Sequence, residues 1–249
     1  MSESQARRAR AAFERLLETD GAALAELLPP GYAAVAERYV ALLLEANTRL
    51  NLTRVVEPDA VARLHLLDAV SALPAVDRLA PLGALDLGSG GGVPGIPLAL
   101  ARPGLRWTLV DSVRKKVDAV AAIVSALGLA TVETVAERAE LLGRDPAHRE
   151  RHDLVTARAC ATLPVLVEYA LPLLRVGGTL LAWKGRMSEE ELGAGAASAA
   201  ELGGGAPDVV PSGVAALGEH RFVLIRKERP TPARYPRRPG EPARKPLGA

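Results

Sequence analysis

The chain has 249 residues, 49% of them apolar, a formal net charge of +2 and a single cysteine, enough for one substantial core with a small accessory segment. No run reaches the roughly 20 uncharged apolar residues of a membrane span, and "MSESQARRAR" at the N-terminus lacks an apolar secretory region, so a cytoplasmic protein is expected. Cys160 cannot form an internal disulfide, and four scattered histidines without a cysteine pair give no zinc spacing, so no metal is expected.

The first third reads as helices over 5–17, 31–47 and, after Pro58, 59–73; Val35, Tyr39, Leu42 and Leu43 share one face of the second. No strand pattern interrupts them, which sets off residues 1–75 as a helical extension. From Gly83 short apolar runs ("ALDLG", "WTLVD", "VETVAE", "DLVTARA", "TLLAWKG") alternate with helical stretches at 96–101, 113–127, 163–174 and 188–202. That alternation predicts βαβ units and a parallel sheet covered on both faces, over 76–228.

Within it, "ALDLGSGGGVPGIPLAL" places five glycines and two prolines between two apolar flanks. Gly90, Gly92 and Gly95 satisfy the dinucleotide pattern G-x-G-x-x-G, but that pattern needs its first glycine directly after the strand, and here the strand ends at Gly88. Asp86, Gly88, Gly90 and Gly92 satisfy D-x-G-x-G-x-G instead. A carboxylate at Asp86 suits an ammonium or sulfonium centre better than a pyrophosphate, which favours S-adenosylmethionine over NAD; a ligand-free strand-to-helix turn is the plain alternative. Asp111 ends the second strand, where a doubly wound sheet binds its ligand, so its carboxylate can accept ribose hydroxyls; capping the next helix is the competing role. Ala136 and Glu137 end the third strand, where backbone can meet an adenine edge.

Farther on, "HRFVLIRKE" reads as a last strand with no following helix, placed antiparallel at or near the sheet edge. The 229–249 segment follows, with six prolines that forbid a regular helix or central strand, and an extended arm is predicted. From Arg226 onward eight Lys or Arg face two Glu, a concentration of charge that suits nucleic acid, with a solvated tail as the alternative.

Taken in order, "NTRLNLTRV", "HLLDAV", "LDLGSGGGVPGIPLAL", "LVDSVRKK", "AERAE", "DLVTARA", "GGTLLAWKG" and "YPRRPGEPARKPL" resemble the bacterial small-subunit ribosomal RNA guanine-N7 methyltransferases, the glucose-inhibited division protein B family, over most of the chain. The resemblance implies a Rossmann-like class I methyltransferase with a seven-stranded, mostly parallel sheet, acting on 16S ribosomal RNA or the small subunit with S-adenosylmethionine. It also implies a donor site of Gly88, Val93, Asp111, Ser112, Val113, Ala136, Glu137 and Arg158. Asp86 and Gly90 join that set from the glycine pattern. The family usually has Arg before the His and Ser after the Asp of "RLHLLDAV", where this chain has Leu64 and Ala69; His65 and Asp68 therefore read as a helix-surface pair at i, i+3.

Guanine N7 carries an exposed lone pair, so its methylation needs no general base and no catalytic side chain is expected. Methylation of a pyrimidine carbon needs a cysteine nucleophile, for which Cys160 is the one candidate, and the Asn/Asp-Pro-Pro-Tyr box of exocyclic-amine enzymes is replaced by "TARAC". RNA contacts are expected from Arg158, which can serve a donor carboxylate or a phosphate, from Lys184, and from Arg234, Arg237, Arg238, Arg244 and Lys245 in the tail, with Tyr235 or Trp183 stacking an unpaired base. A monomer is expected. The rivals are methylation of another RNA or base position, a nicotinamide oxidoreductase, and a non-catalytic RNA-binding module.

Overall fold

The computed structural model describes residues 2–248. Helices α1 (Ser2–Asp20), α2 (Ala22–Ala25) and α3 (Tyr32–Asn47) come first, and Ala6, Ala9, Phe13 and Leu17 form the buried stripe of α1. Next come α4 (Pro58–Val61), a π-helical turn (Ala62–Leu67), α5 (Asp68–Val70) and α6 (Leu73–Leu79). The expected helix over 59–73 is thus broken: the π turn widens the ladder at His65 and shifts the following side chains on the helix face.

The remainder alternates: β1 (Gly83–Leu87), α7 (Gly95–Ala101), β2 (Arg106–Asp111), α8 (Arg114–Leu127), β3 (Val132–Ala136), α9 (Ala139–Leu142), β4 (His152–Arg158), α10 (Leu163–Ala170) and β5 (Leu174–Lys184). Then follow α11 (Glu189–Leu202), β6 (Asp208–Pro211), β7 (Arg221–Arg226) and α12 (Glu241–Arg244). The seven strands lie in the order β3-β2-β1-β4-β5-β7-β6, with β7 antiparallel to both neighbours and the other pairings parallel. This is the doubly wound sheet expected from the sequence, and the antiparallel last strand is found one place in from the edge.

Period-two alternation splits the core between the sheet faces. Ala84, Trp107, Leu154 and Leu181 pack with the N-terminal helices and α7 and α8 in one apolar cluster, whereas Leu85, Val110, Val155 and Leu180 pack with α10 and α11 in another. The N-terminal helices therefore complete the sheet's covering layer. Among the described residues no helix is long and apolar enough to cross a membrane.

Three expectations are corrected. The helix over 163–174 ends at Ala170, because the chain is extended again from Leu174. The edge strand β6 has no counterpart in the sequence reading. The tail is not an extended arm: Pro236 and Pro242 are buried, Pro242 sits in the first turn of α12, and Thr231 and Tyr235 are 5% exposed. One of its charges is taken up inside the fold: the Arg237 guanidinium and backbone N–H bond the Glu168 carboxylate at 2.5–3.1 Å.

Candidate functional site

β1, β2 and β3 end along one edge of the sheet, and the glycine turn crosses it between β1 and α7. Gly88 leaves the strand at φ +69°, a conformation that disfavours any side chain, and an added Cβ would lie 3.0 Å from Cys160 Sγ. The turn is supported from below by the N-terminal helices: the Tyr39 hydroxyl donates to the Gly91 carbonyl at 2.8 Å.

Asp86 departs from its expected place. It is fully buried, its carboxylate accepts from Gly95 N–H at 3.1 Å and Thr156 Oγ1 at 2.7 Å, and burial pushes its pKa up to about 7. A carboxylate with no exposed surface cannot contact a ligand's ammonium group; it ties the start of α7 to β1 and β4 instead.

Asp111 does face open space. Its Oδ2 accepts from Gly90 N–H at 3.1 Å and its Oδ1 from Val113 N–H at 2.9 Å. A carboxylate offers about four lone-pair directions, so both expected roles coexist: it secures the turn and the entry to α8 while keeping acceptor capacity for a ligand. It lines a cleft of about 160 Å³ with Gly88, Ser112, Glu137, Arg138, Glu140, Cys160 and Tyr169. Ala136 pairs with Asp111 across β2 and β3 but does not line the cleft. Gly90 acts through its N–H, Val113 is 44% exposed beside the helix start, and Val93 is buried in the apolar cluster, so these three are not in the cleft wall.

A second cavity, of about 400 Å³, adjoins the first through Cys160. Its wall includes Val55, His65, Asp68, Arg158, Trp183, Lys184 and His220. Arg158 is found here and not in the first cleft. Its Nη1 donates to Asp68 Oδ2 at 3.1 Å and to the Leu64 carbonyl, and its Nη2 approaches His65 Nδ1 at 3.4 Å. His65 and Asp68 are thus no surface pair; they are 3% and 2% exposed, and the π turn points both at β4. Asp68 also meets His220 Nδ1 at 2.9 Å, and its carbonyl accepts from Trp183 Nε1 at 2.9 Å. Burial, then the Arg158 charge, lowers the His65 pKa to about 4.

The sequence reading missed how "NTRLNLTRV" serves this wall. Asn47 Oδ1 accepts from Leu52 and Thr53 N–H, both at 2.9 Å, and Thr53 Oγ1 meets His65 Nε2 at 2.8 Å. Arg138, Glu140 and Tyr169 were missed as well, although "AERAE" contains the first two. Lys184 secures the rim: Nζ bonds the Ala161 carbonyl at 2.9 Å and Glu191 Oε1 at 2.8 Å, holding the loop in which Ala159 takes φ +52°. Cys160 is an exposed residue, but desolvation of its sulfur in the loop, then the Asp86 and Asp111 charges, push its thiol up to about 11, the reverse of what a nucleophile requires.

Among the described residues, none of the tail lines either cavity. The Tyr235 ring is buried with its hydroxyl on Glu201, and Trp183 is 5% exposed with its edge against Phe222, so neither offers a free face for stacking a base. Arg234 reaches Glu201 at 3.3 Å and lies over the Tyr235 ring, while Arg238, Arg244 and Lys245 are exposed.

The family described as rRNA small subunit methyltransferase G matches residues 33–215. Proteins named ribosomal RNA small subunit methyltransferase G are similar along most of their length. That of Deinococcus radiodurans is 46% identical over 211 residues, covering 84% of this chain and 83% of the relative. That of Symbiobacterium thermophilum is 42% identical over 245 residues, covering 95% and 98%. Among solved structures, the S-adenosylmethionine-dependent methyltransferase SibL in its apo form superposes with a TM-score of 0.54 at 18% identity, over 79% of this chain and 74% of that one. The mitomycin 7-O-methyltransferase MmcR gives 0.53 at 18% identity, over 81% and 74%. These two likenesses concern the fold.

Proposed function

Since the chain belongs to the rRNA small subunit methyltransferase G family, we propose that it transfers a methyl group from S-adenosylmethionine to N7 of a guanine in 16S ribosomal RNA. The observation that carries this reading is the pair of cavities joined at Cys160, one edged by a glycine turn and an available carboxylate, the other by a guanidinium fixed in place.

The first cleft suits the donor. Asp111 keeps lone pairs for the ribose hydroxyls, and Gly88 leaves space where a side chain would stand. When bound, S-adenosylmethionine supplies a methyl group carried on a sulfonium sulfur. The second cavity takes the guanine, with Arg158, kept rigid by Asp68 and the Leu64 carbonyl, available to O6 or a phosphate. No side chain has to remove a proton, because N7 already presents its lone pair. The work of the protein is binding and orientation, worth up to ~7–11 kcal/mol in favourable intramolecular reactions.

The helical segment 1–75 serves the 76–228 core by building the acceptor wall, and the exposed Arg238, Arg244 and Lys245 of the 229–249 segment offer phosphate contacts. Both cavities are formed by one chain, which supports action as a monomer, and the ribosomal substrate supports a cytoplasmic location.

Separate measurement of the two cavities tests the reading. Asp111→Ala is expected to weaken donor binding about 10- to 100-fold in calorimetry, the loss of one or two hydrogen bonds to a charged group. Arg158→Ala is expected to lower kcat/KM for RNA by about 100-fold, as for other hydrogen bonds to charge, with donor affinity retained. Loss of donor binding in Arg158→Ala and its retention in Asp111→Ala would reverse the assignment.

A further inference from the structure

Residues 230–248 do more than close the sheet's outer layer. Glu140 lies in the wall of the donor cleft, yet its side chain is only 3% exposed. Its carboxylate accepts from two sources: the backbone N–H of Gly240 at 2.7 Å, and Arg138 Nη2 at 3.3 Å. Arg138, the other partner, is a half-exposed member of the same wall. Both bonds go to one oxygen, Oε1, so the Gly240 N–H and Arg138 share an acceptor, and the N–H helps set where the carboxylate holds Arg138.

A second contact runs parallel to the first. Glu168 is fully buried on α10, directly before the cleft residue Tyr169, and receives Arg237 through Nε at 3.0 Å and Nη2 at 2.5 Å as well as the Arg237 N–H at 2.8 Å. A guanidinium fork of this kind fixes direction as well as charge. Just before these two contacts the chain lies close on the segment after α9: an added Cβ at Gly143 would be 3.0 Å from Pro236 Cγ. Arg149 stitches it down further, donating to the Gly143 and Tyr235 carbonyls, both at 2.8 Å.

We propose that the C-terminal strap is a positioning element of the donor cleft, in which Gly240 and Arg237 hold the buried carboxylates of Glu140 and Glu168 and so fix Arg138 and Tyr169 in the cleft wall. This rests on the reading of that cleft as the S-adenosylmethionine site. It gives "YPRRPGEP" a role separate from RNA contact, and it makes Gly240 and Arg237 positioning residues without surface in the cleft.

Three full-length variants test it. Gly240→Pro removes the N–H and cannot adopt φ +80°; Gly240→Ala shares the strain of a side chain at that φ but keeps the N–H; Arg237→Lys keeps the charge but loses the fork. Calorimetry with S-adenosylhomocysteine is expected to show about a tenfold loss for Gly240→Pro, a conversion of about 1.4 kcal/mol for the hydrogen bond, and a smaller loss for both Arg237→Lys and Gly240→Ala. The Michaelis constant for the donor rises while kcat at saturating donor is kept. Native donor affinity in folded Gly240→Pro and Arg237→Lys overturns the proposal, as does equal loss in Gly240→Ala and Gly240→Pro. No binding by the unaltered protein would instead overturn the donor-site reading beneath it.

Discussion

Asp86 and His65 both lie buried against the site, and burial moves their proton affinities in opposite directions. Asp86, pushed up to about 7, keeps a proton in the folded chain that an unfolded aspartate releases near 4, so its part of the stability falls as pH rises through that window. His65, lowered to about 4, stays neutral where an unfolded imidazole is protonated below about 6.5, so its part rises with pH over the same window. Urea unfolding between about pH 4.5 and 6 should separate them: Asp86→Asn steepens the increase of stability with pH and His65→Gln flattens it, each by up to about 1.4 kcal/mol per pH unit. Identical slopes in the two variants and the unaltered protein would mean that neither group changes its protonation on folding. The sequence placed Asp86 at the right position in the glycine motif but not its direction. Its partners come from α7 and β4, and no spacing along the chain reveals that Thr156 and Gly95 consume both oxygens. The place of Asp111 in the cleft wall was readable because it ends its strand at the sheet edge, where a doubly wound topology leaves the carboxylate open.

At the scale of elements, the central strands and flanking helices could be read from the change of hydrophobic period at Gly83. The π turn could not: "VARLHLLDAV" suits an α-helix, and the wider turn arises where His65 and Asp68 are drawn to Arg158, 90 or more residues away in the chain. β6 is four residues long and ends in Pro211, too short for alternation to register. The tail was misread for a related reason, since prolines forbid helix and central strand but say nothing about whether a segment packs. Close approach of elements also explains one glycine. At Gly95 an added Cβ would fall 2.3 Å from Leu109 Cδ2 and 2.9 Å from Asp86 Oδ2, so α7 can approach β1 and β2 only without a side chain there. Gly95→Ala is expected to lower stability by about 1–3 kcal/mol, the usual range for overpacking a core, as a reduced urea midpoint; an unchanged midpoint would show that Leu109 and α7 yield freely.

On the scale of the whole molecule, three segments distant in sequence converge on one sheet edge. The N-terminal segment supplies Val55, His65 and Asp68 to the cavity of about 400 Å³, the sheet supplies Asp111, Arg158 and Trp183 to the two cavities, and the C-terminal strap bonds to Glu140 in the wall of the smaller cleft. Catalysis by orientation, without acid–base chemistry, requires an acceptor atom that already presents its lone pair. The deciding measurement is transfer of labelled methyl from S-adenosylmethionine to unmodified small ribosomal subunits and to their protein-free RNA, followed by borohydride reduction and aniline cleavage. Label at a single guanine with strand scission at that nucleotide is the predicted result. Label without scission would contradict it, because the methyl group would then lie on an atom other than N7.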